Sequence, residues 1–238
     1  MIAAPVHDRL YWHGRRRGRP LRPHRQDLVA NLLPRLRVSL PPAGQLLDPL
    51  ALFPERPREI WLEVGFGSGE HLAAQAQRHP DIGFIGCEVF VNGVATLLDH
   101  VDRSGLINVR IFDDDARLLL PALPPACLGR AFLLFPDPWP KLRHAKRRFV
   151  GAANLEILAR LLADGAEFRI ATDDSGYIRW TLQQMVGHPD FLWRANGPKD
   201  WREPPADWLA TRYQRKAETA GRRPFFLCFE RRQRGPQA

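Results

Sequence analysis

A parallel, doubly wound α/β sheet is the fold this sequence predicts. Short apolar runs alternate with helical patterns from Glu59 onward, and a glycine-rich turn follows the first run. Acids also stand at or just past the ends of successive apolar runs. In such a sheet ligands bind beyond the carboxyl ends of the strands, so these acids are expected to share one crevice.

The elements follow in order. Residues 60–64 are the first predicted strand, and 70–78 the helix after it. Strand 83–89 carries Glu88 at its end and precedes a helix over 92–103. Strand 109–112 runs into Asp113, Asp114 and Asp115 and a short turn at 116–120. Strand 131–135 delivers Asp137 into a turn stiffened by Pro136, Pro138 and Pro140, predicted as rigid and neither strand nor helix. A helix is predicted over 149–162, where Leu155, Ile157, Leu158, Leu161 and Leu162 keep the spacing of a buried face. Strand 168–171 comes next. After Gly187 the pattern changes: strands at 191–194 and 224–231 flank a polar insertion over 197–223 that carries tryptophans and arginines.

The domain plan is a basic arm and proline-rich connector over 1–57, then the α/β domain over 58–238, with its insertion at about 195–223. In the arm, Arg9, Arg15, Arg16, Arg17, Arg19, Arg22 and Arg25 lie between Asp8 and Asp27 with no acid among them. Tyr11, Trp12, His13 and His24 are interleaved, and Gly14, Gly18, Pro20 and Pro23 argue against a helix. Such an arm suits phosphate gripping and base stacking; the alternative is a solvated tail.

Composition agrees with an anionic partner. The chain has 238 residues, 35 Lys+Arg against 26 Asp+Glu, and a net charge of +9. That balance favours nucleic acid or an anionic membrane surface. No apolar run is long enough to span a bilayer, and no secretory signal is visible, so a cytoplasmic protein is expected. Cys87, Cys127 and Cys228 are scattered without paired spacing. They read as buried thiols, and neither a metal site nor a disulfide framework is indicated.

The glycine loop is Glu63-Val-Gly65-Phe-Gly67-Ser-Gly69-Glu70. Its spacing departs from the dinucleotide fingerprint, and Glu70 would repel a pyrophosphate. A ligand without phosphates fits better, with Glu63 accepting from an ammonium. Glu88 is placed to accept ribose hydroxyls and Asp115 an adenine amino group. Each has an innocent reading, Glu88 as a surface acid and Asp115 as a helix cap. Beyond Asp137 runs a cationic ledge of Lys141, Arg143, His144, Lys146, Arg147 and Arg148.

These motifs, with Phe135-Pro-Asp-Pro-Trp-x-Lys-x-Arg-His-x-Lys-Arg-Arg148, Ala171-Thr-Asp173 and Thr211-Arg-Tyr213, resemble the bacterial tRNA (guanine-N7-)-methyltransferases over nearly the whole chain. The resemblance implies a Rossmann-like class I methyltransferase with a mostly parallel seven-stranded sheet and an antiparallel last strand. It implies S-adenosylmethionine as cofactor, held by Glu63, Gly65, Gly67, Gly69, Glu88, Asp115 and Asp137. It implies tRNA as partner, met by Lys141, Arg143, His144, Arg147, Asp173, Thr211, Arg212, Tyr213 and Gln214. The implied product is 7-methylguanosine at position 46 of the variable loop. One departure is Gln214, where the family usually has Glu; Gln offers one acceptor oxygen and a competing donor.

Guanine N7 carries a lone pair and no proton, so alignment rather than a base is expected to dominate catalysis. Asp137 is the expected catalytic residue, fixing the cofactor and stabilising positive charge on guanine. Lys141, Arg143, Arg147 and Arg148 are expected to hold phosphates; His144 either joins them or caps the turn. Trp139 is either a stacking wall or turn packing. A methyltransferase acting on another amino group and a non-catalytic RNA-binding subunit are the other readings.

Overall fold

The computed structural model describes residues 15–235. Helices α1 (Pro23–Asn31) and α2 (Leu33–Leu36) precede strand β1 (Glu59–Val64). Then come α3 (Glu70–Arg78), β2 (Ile82–Cys87), α4 (Val91–Ser104), β3 (Val109–Phe112), α5 (Ala116–Leu119) and β4 (Leu128–Leu134). They are followed by α6 (Ala152–Leu161), β5 (Leu162–Thr172), α7 (Ser175–Met185) and β6 (Phe191–Trp193). Helices α8 (Lys199–Arg202) and α9 (Arg212–Thr219) and strand β7 (Phe225–Arg231) complete the order.

The strands form one sheet in the order β3-β2-β1-β4-β5-β7-β6. The first five are parallel, and β7 is antiparallel to β5 and β6. Successive residues face opposite sides of a strand, and the core divides accordingly. Leu62, Val64 and Leu133 join α5, α6 and α7 on one face; Trp61, Phe132 and Leu134 join α3 and α4 on the other. Both faces are covered, which is why these strands read as nearly continuous apolar runs.

Register positions the site. Val64 lies level with Cys87 and with Leu133, and Cys87 with Phe112. The residues just past these ends therefore emerge side by side. The chain leaves β1 for β2 on one flank while β4 lies on the other, which opens a crevice at the switch point.

Some expectations are corrected. Pro23 does not oppose a helix: it opens α1, where its missing N–H has no partner to lose. Leu28, Leu33 and Leu36 of α1 and α2 are buried against the α3–α4 side. The stretch after Pro140 is not purely a turn, since Leu142–Arg147 forms a 3-10 helix free of prolines. Helix α6 stops at Leu161, and Leu162, with ψ 134°, already begins β5. Helices α7 and α9 were not anticipated. Each has a side-chain cap: Asp174 accepts from the Tyr177 N–H at 2.7 Å, and Thr211 from the Gln214 N–H at 3.0 Å.

Two tethers bring outlying segments to the crevice. Residues 15–22 lie along α4: the Val91 N–H donates to the Arg16 carbonyl at 2.9 Å and the Gly18 N–H to Asn92 Oδ1 at 2.7 Å. Arg9, Tyr11, Trp12 and His13 of the arm lie outside the described residues. In the insertion, Asp207 pairs with Arg169 at 2.8 Å and Arg130 at 3.4 Å, and both arginines also meet Glu167. Trp208 follows, 4.8 Å edge-on from the Phe226 ring and 5.8 Å from the His71 ring. This draws Thr211 and α9 over the end of β1. Among the described residues no helix is long and apolar enough to cross a membrane.

Candidate active site

The crevice has two adjoining lobes of about 160 and 430 Å³, both bordered by Gly65, Glu88, Asp137, Trp139 and Arg147. Its floor is the glycine loop. Gly67 has φ +58°, and a Cβ there would stand 2.8 Å from the Tyr213 ring. A Cβ at Gly65, φ +70°, would meet nothing within 4 Å, so bare backbone faces the open crevice. On α4, a Cβ at Gly93 would come within 2.2 Å of the Gly67 carbonyl oxygen. Helix and loop are thus in direct backbone contact.

Glu88 is held by the backbone on both oxygens. Its Oε2 accepts from the Gly67 N–H at 2.8 Å, and Oε1 from Val89 and Phe90 at 2.8 and 2.9 Å. Burial pushes its carboxyl above the usual range, with Asp137 adding to the rise, against the pull of those three donors. Burial and the nearby Glu88 carboxylate likewise raise the Tyr213 phenol.

Glu63 is buried and lies at a smaller recess beneath the crevice, beside Gly65, His71, Thr211 and Tyr213. His71 Nδ1 lies 2.7 Å from Glu63 Oε2, and Gln75 Nε2 lies 3.2 Å from His71 Nε2. With the Gln75 amide donating, the imidazole proton sits on Nδ1 and is given to Glu63. Asp115 adopts the capping geometry. It accepts from the Arg117 N–H at 3.0 Å and from the Arg117 guanidinium at 2.5 to 3.1 Å, while still bordering the first lobe.

Asp137 is exposed at the mouth, on a turn whose flanks are strained. Phe135 and Trp139 have φ of 51° and 42°, a region that costs non-glycine residues about 1–3 kcal/mol each. Arg148 restrains this turn, donating from Nε to the Pro138 carbonyl and from Nη2 to the Trp139 carbonyl, both at 3.0 Å. Its guanidinium lies 4.8 Å from the Trp180 ring, whose Nε1 donates to the Val150 carbonyl. Arg148 therefore braces the turn through Nε and Nη2 while also bordering the first lobe. Trp139 packs under the Arg147 guanidinium at 4.9 Å and edge-on to His144 at 5.9 Å, while one side borders the crevice.

The remaining predicted residues divide. Lys141 and Arg143 are exposed on the ledge outside the crevice, with Leu142 between them 87% exposed. Asp173 accepts from Arg222 Nε at 2.6 Å. Thr211 is buried as the cap of α9, Arg212 is exposed, and Tyr213 borders the second lobe. Gln214 is corrected. It does not face the crevice: its Oε1 accepts from Trp208 Nε1 at 2.6 Å and its Nε2 donates to Glu218 Oε1 at 2.9 Å. The reason is helical geometry, which places the exposed Glu218 one turn on, within reach of the buried Gln214 amide.

Sequence reasoning passed over Arg117, His71 and Arg222, and gave Arg15 to the phosphate-gripping arm without placing it at the second lobe. The capping and ion-pair partners lie near in sequence only for Arg117; the others meet through the fold. Glu156, His188 and Asp190 bring one possible ligand atom each within 4.8 Å of one another, away from the crevice.

A family model described as "Putative methyltransferase" matches residues 57–227. A tRNA (guanine-N(7)-)-methyltransferase of Rhodospirillum rubrum is 53% identical over 236 residues, covering 98% of this chain and 92% of that protein. One from Paramagnetospirillum magneticum is 51% identical over 228 residues, covering 95% of both chains. Among solved structures, the 16S rRNA methyltransferase KamB has a similar fold, with a TM-score of 0.52 at 15% identity over 74% of this chain and 89% of that one.

Proposed function

Since this chain belongs to the tRNA (guanine-N(7)-)-methyltransferase family, we propose that it methylates N7 of a guanine in the variable loop of tRNA, with S-adenosylmethionine as donor. The observation that carries the reading is the crevice at the switch point. Bare glycine backbone, Glu88 and Asp137 border it on one side, with Arg147 and Tyr213 toward the mouth. The donor set fits that cofactor. Acids around a glycine loop repel phosphates but suit a sulfonium, an ammonium and ribose hydroxyls, and the open space at Gly65 leaves room for them.

When bound, the cofactor supplies an electrophilic methyl group, which the N7 lone pair takes while the sulfonium leaves as a neutral thioether and no proton moves. The chain's own residues provide alignment, an effect worth up to about 7–11 kcal/mol. Glu88, its carboxylate fixed by three backbone donors with Oε2 the less engaged oxygen, would hold the ribose. Glu63, oriented by His71, takes the ammonium. Asp115 borders the adenine side. Asp137, which borders both lobes, would stand near the methionine end and the guanine ring, where its charge would offset the positive charge that the ring acquires. Lys141, Arg143, His144 and Arg147 meet phosphates, and Tyr213 borders the base. Asp173, Thr211 and Arg212 shape the substrate side, and Gln214 supports it from behind. We place the enzyme in the cytoplasm with its tRNA.

Incubation with methyl-labelled cofactor and unmodified bulk tRNA, followed by nucleoside mass spectrometry, tests this. A 7-methylguanosine product confined to the variable loop is expected. Another methylated nucleoside, or tight tRNA binding without product, overturns it.

A further inference from the structure

On the outer side of the sheet, beyond the end of β5, lies a groove of about 630 Å³ that the chemistry above does not use. Trp193, Trp201 and Phe225 form its apolar wall, each only partly buried. The Trp201 and Phe225 rings stack at 5.8 Å and 28°. Arg179, Arg202 and Arg223 border the same space and are exposed. The Arg202 guanidinium lies 4.6 Å from the Trp201 ring, and none of the three arginines forms a salt bridge with the described residues.

We propose that this groove is a second RNA-binding site, which takes an unpaired base of the tRNA against the aromatic wall and its flanking phosphates on the three arginines. The proposal rests on the tRNA reading above and extends it. Exposed aromatic faces bordered by guanidiniums are the chemistry of single-stranded nucleic acid binding, where rings stack on bases and cations follow the backbone. Position agrees with this. Thr172, the last residue of β5, pairs with Phe225, so the groove begins where the catalytic end of the sheet stops. Ser175, the first residue of α7, lies at its edge, and of the two acids between Thr172 and that edge Asp173 is paired with Arg222 and Asp174 caps α7. An RNA whose target guanine enters the crevice can continue over the end of β5 into the groove. A second copy of the chain is the weaker occupant, because a two-fold contact would set the three arginines against their own like charges.

The test is tRNA affinity across a salt series for wild type and Arg179→Glu/Arg223→Glu. Cofactor affinity by calorimetry reports on folding, and light scattering on oligomeric state. The expected result is tRNA binding weakened by about tenfold or more near physiological salt, with a salt slope shallower by about 1–2. Cofactor affinity and oligomeric state stay unchanged. Photocrosslinking of 4-thiouridine-substituted tRNA to wild type is expected to mark a peptide containing Trp201 or Phe225. Unchanged affinity and slope, or loss of a wild-type dimer in the variant, overturns the groove assignment while leaving the methylation reading intact. If wild type neither binds nor methylates tRNA, both fall.

Discussion

Trp208 and Gln214 are joined by a 2.6 Å bond from the indole Nε1 to the amide oxygen, which leaves the amide nitrogen to donate to Glu218 at 2.9 Å. An amide accepts on one side and donates on the other, whereas a carboxylate can only accept. Gln214→Glu sets two carboxylates face to face with no donor between them, and stability should fall by about 1–3 kcal/mol. Adding Glu218→Gln returns a donor and should recover most of the loss. Urea unfolding of the single and double variants decides it; a double variant no better than Gln214→Glu rejects the pairing.

Arg148 positions Asp137 through the carbonyls of Pro138 and Trp139 rather than by touching substrate. Arg148→Ala should slow single-turnover methyl transfer by about a hundredfold, the scale of a small misplacement at a reacting centre. Cofactor affinity should change little. Equal losses in rate and in cofactor affinity would show that the turn has collapsed instead.

Asp137→Asn keeps the shape of the turn and removes its charge. The transfer rate should drop by about 10²–10³, while tRNA affinity stays close to wild type. Filter binding alongside quenched-flow measurements separates the two, and a parallel loss of affinity would move Asp137 out of the catalytic role.

The raised Glu88 carboxyl gives cofactor binding a pH dependence. Hydroxyl acceptance needs the carboxylate, so affinity should decline as pH falls through a range above that of an ordinary glutamate. Glu88→Gln should bind more weakly at neutral pH and lose that dependence. Calorimetric titrations from pH 5 to 8 give the comparison; identical pH profiles would exclude Glu88 as the titrating group.

Gly93→Ala forces a methyl group against the Gly67 carbonyl. Helix α4 must retreat from the loop, and stability should fall by about 1–3 kcal/mol with weakened cofactor binding. Thermal melts with and without cofactor test this. A wild-type melt with normal affinity would mean that the backbone contact is dispensable.

Much of the sheet was legible because buried parallel strands write themselves as apolar runs, and the acids at 63, 88, 115 and 137 mark where those runs end. Three other features were not. α1 was hidden by a proline that reads as a breaker until its place at the first turn is known. The roles of Arg148 and Gln214 depend on partners that the fold supplies, Trp180 for one and Trp208 for the other. Glu63 was legible as an acid at a strand end, but its His71 and Gln75 partners lie on a neighbouring helix face that no strand pattern predicts.

The last strand of the chain, β7, lies inside the sheet, between β5 and β6. During synthesis β6 therefore leaves the ribosome with no neighbour to bond, and the flank of β5 stays open until residues 225–231 follow. Nascent chains in that interval present an unpaired apolar edge, the kind of surface that chaperones hold. Helix α9, with its tyrosine at the crevice mouth, emerges immediately before the strand that closes the sheet. Closure of the fold and completion of the substrate side thus arrive together, so a prematurely terminated chain has neither.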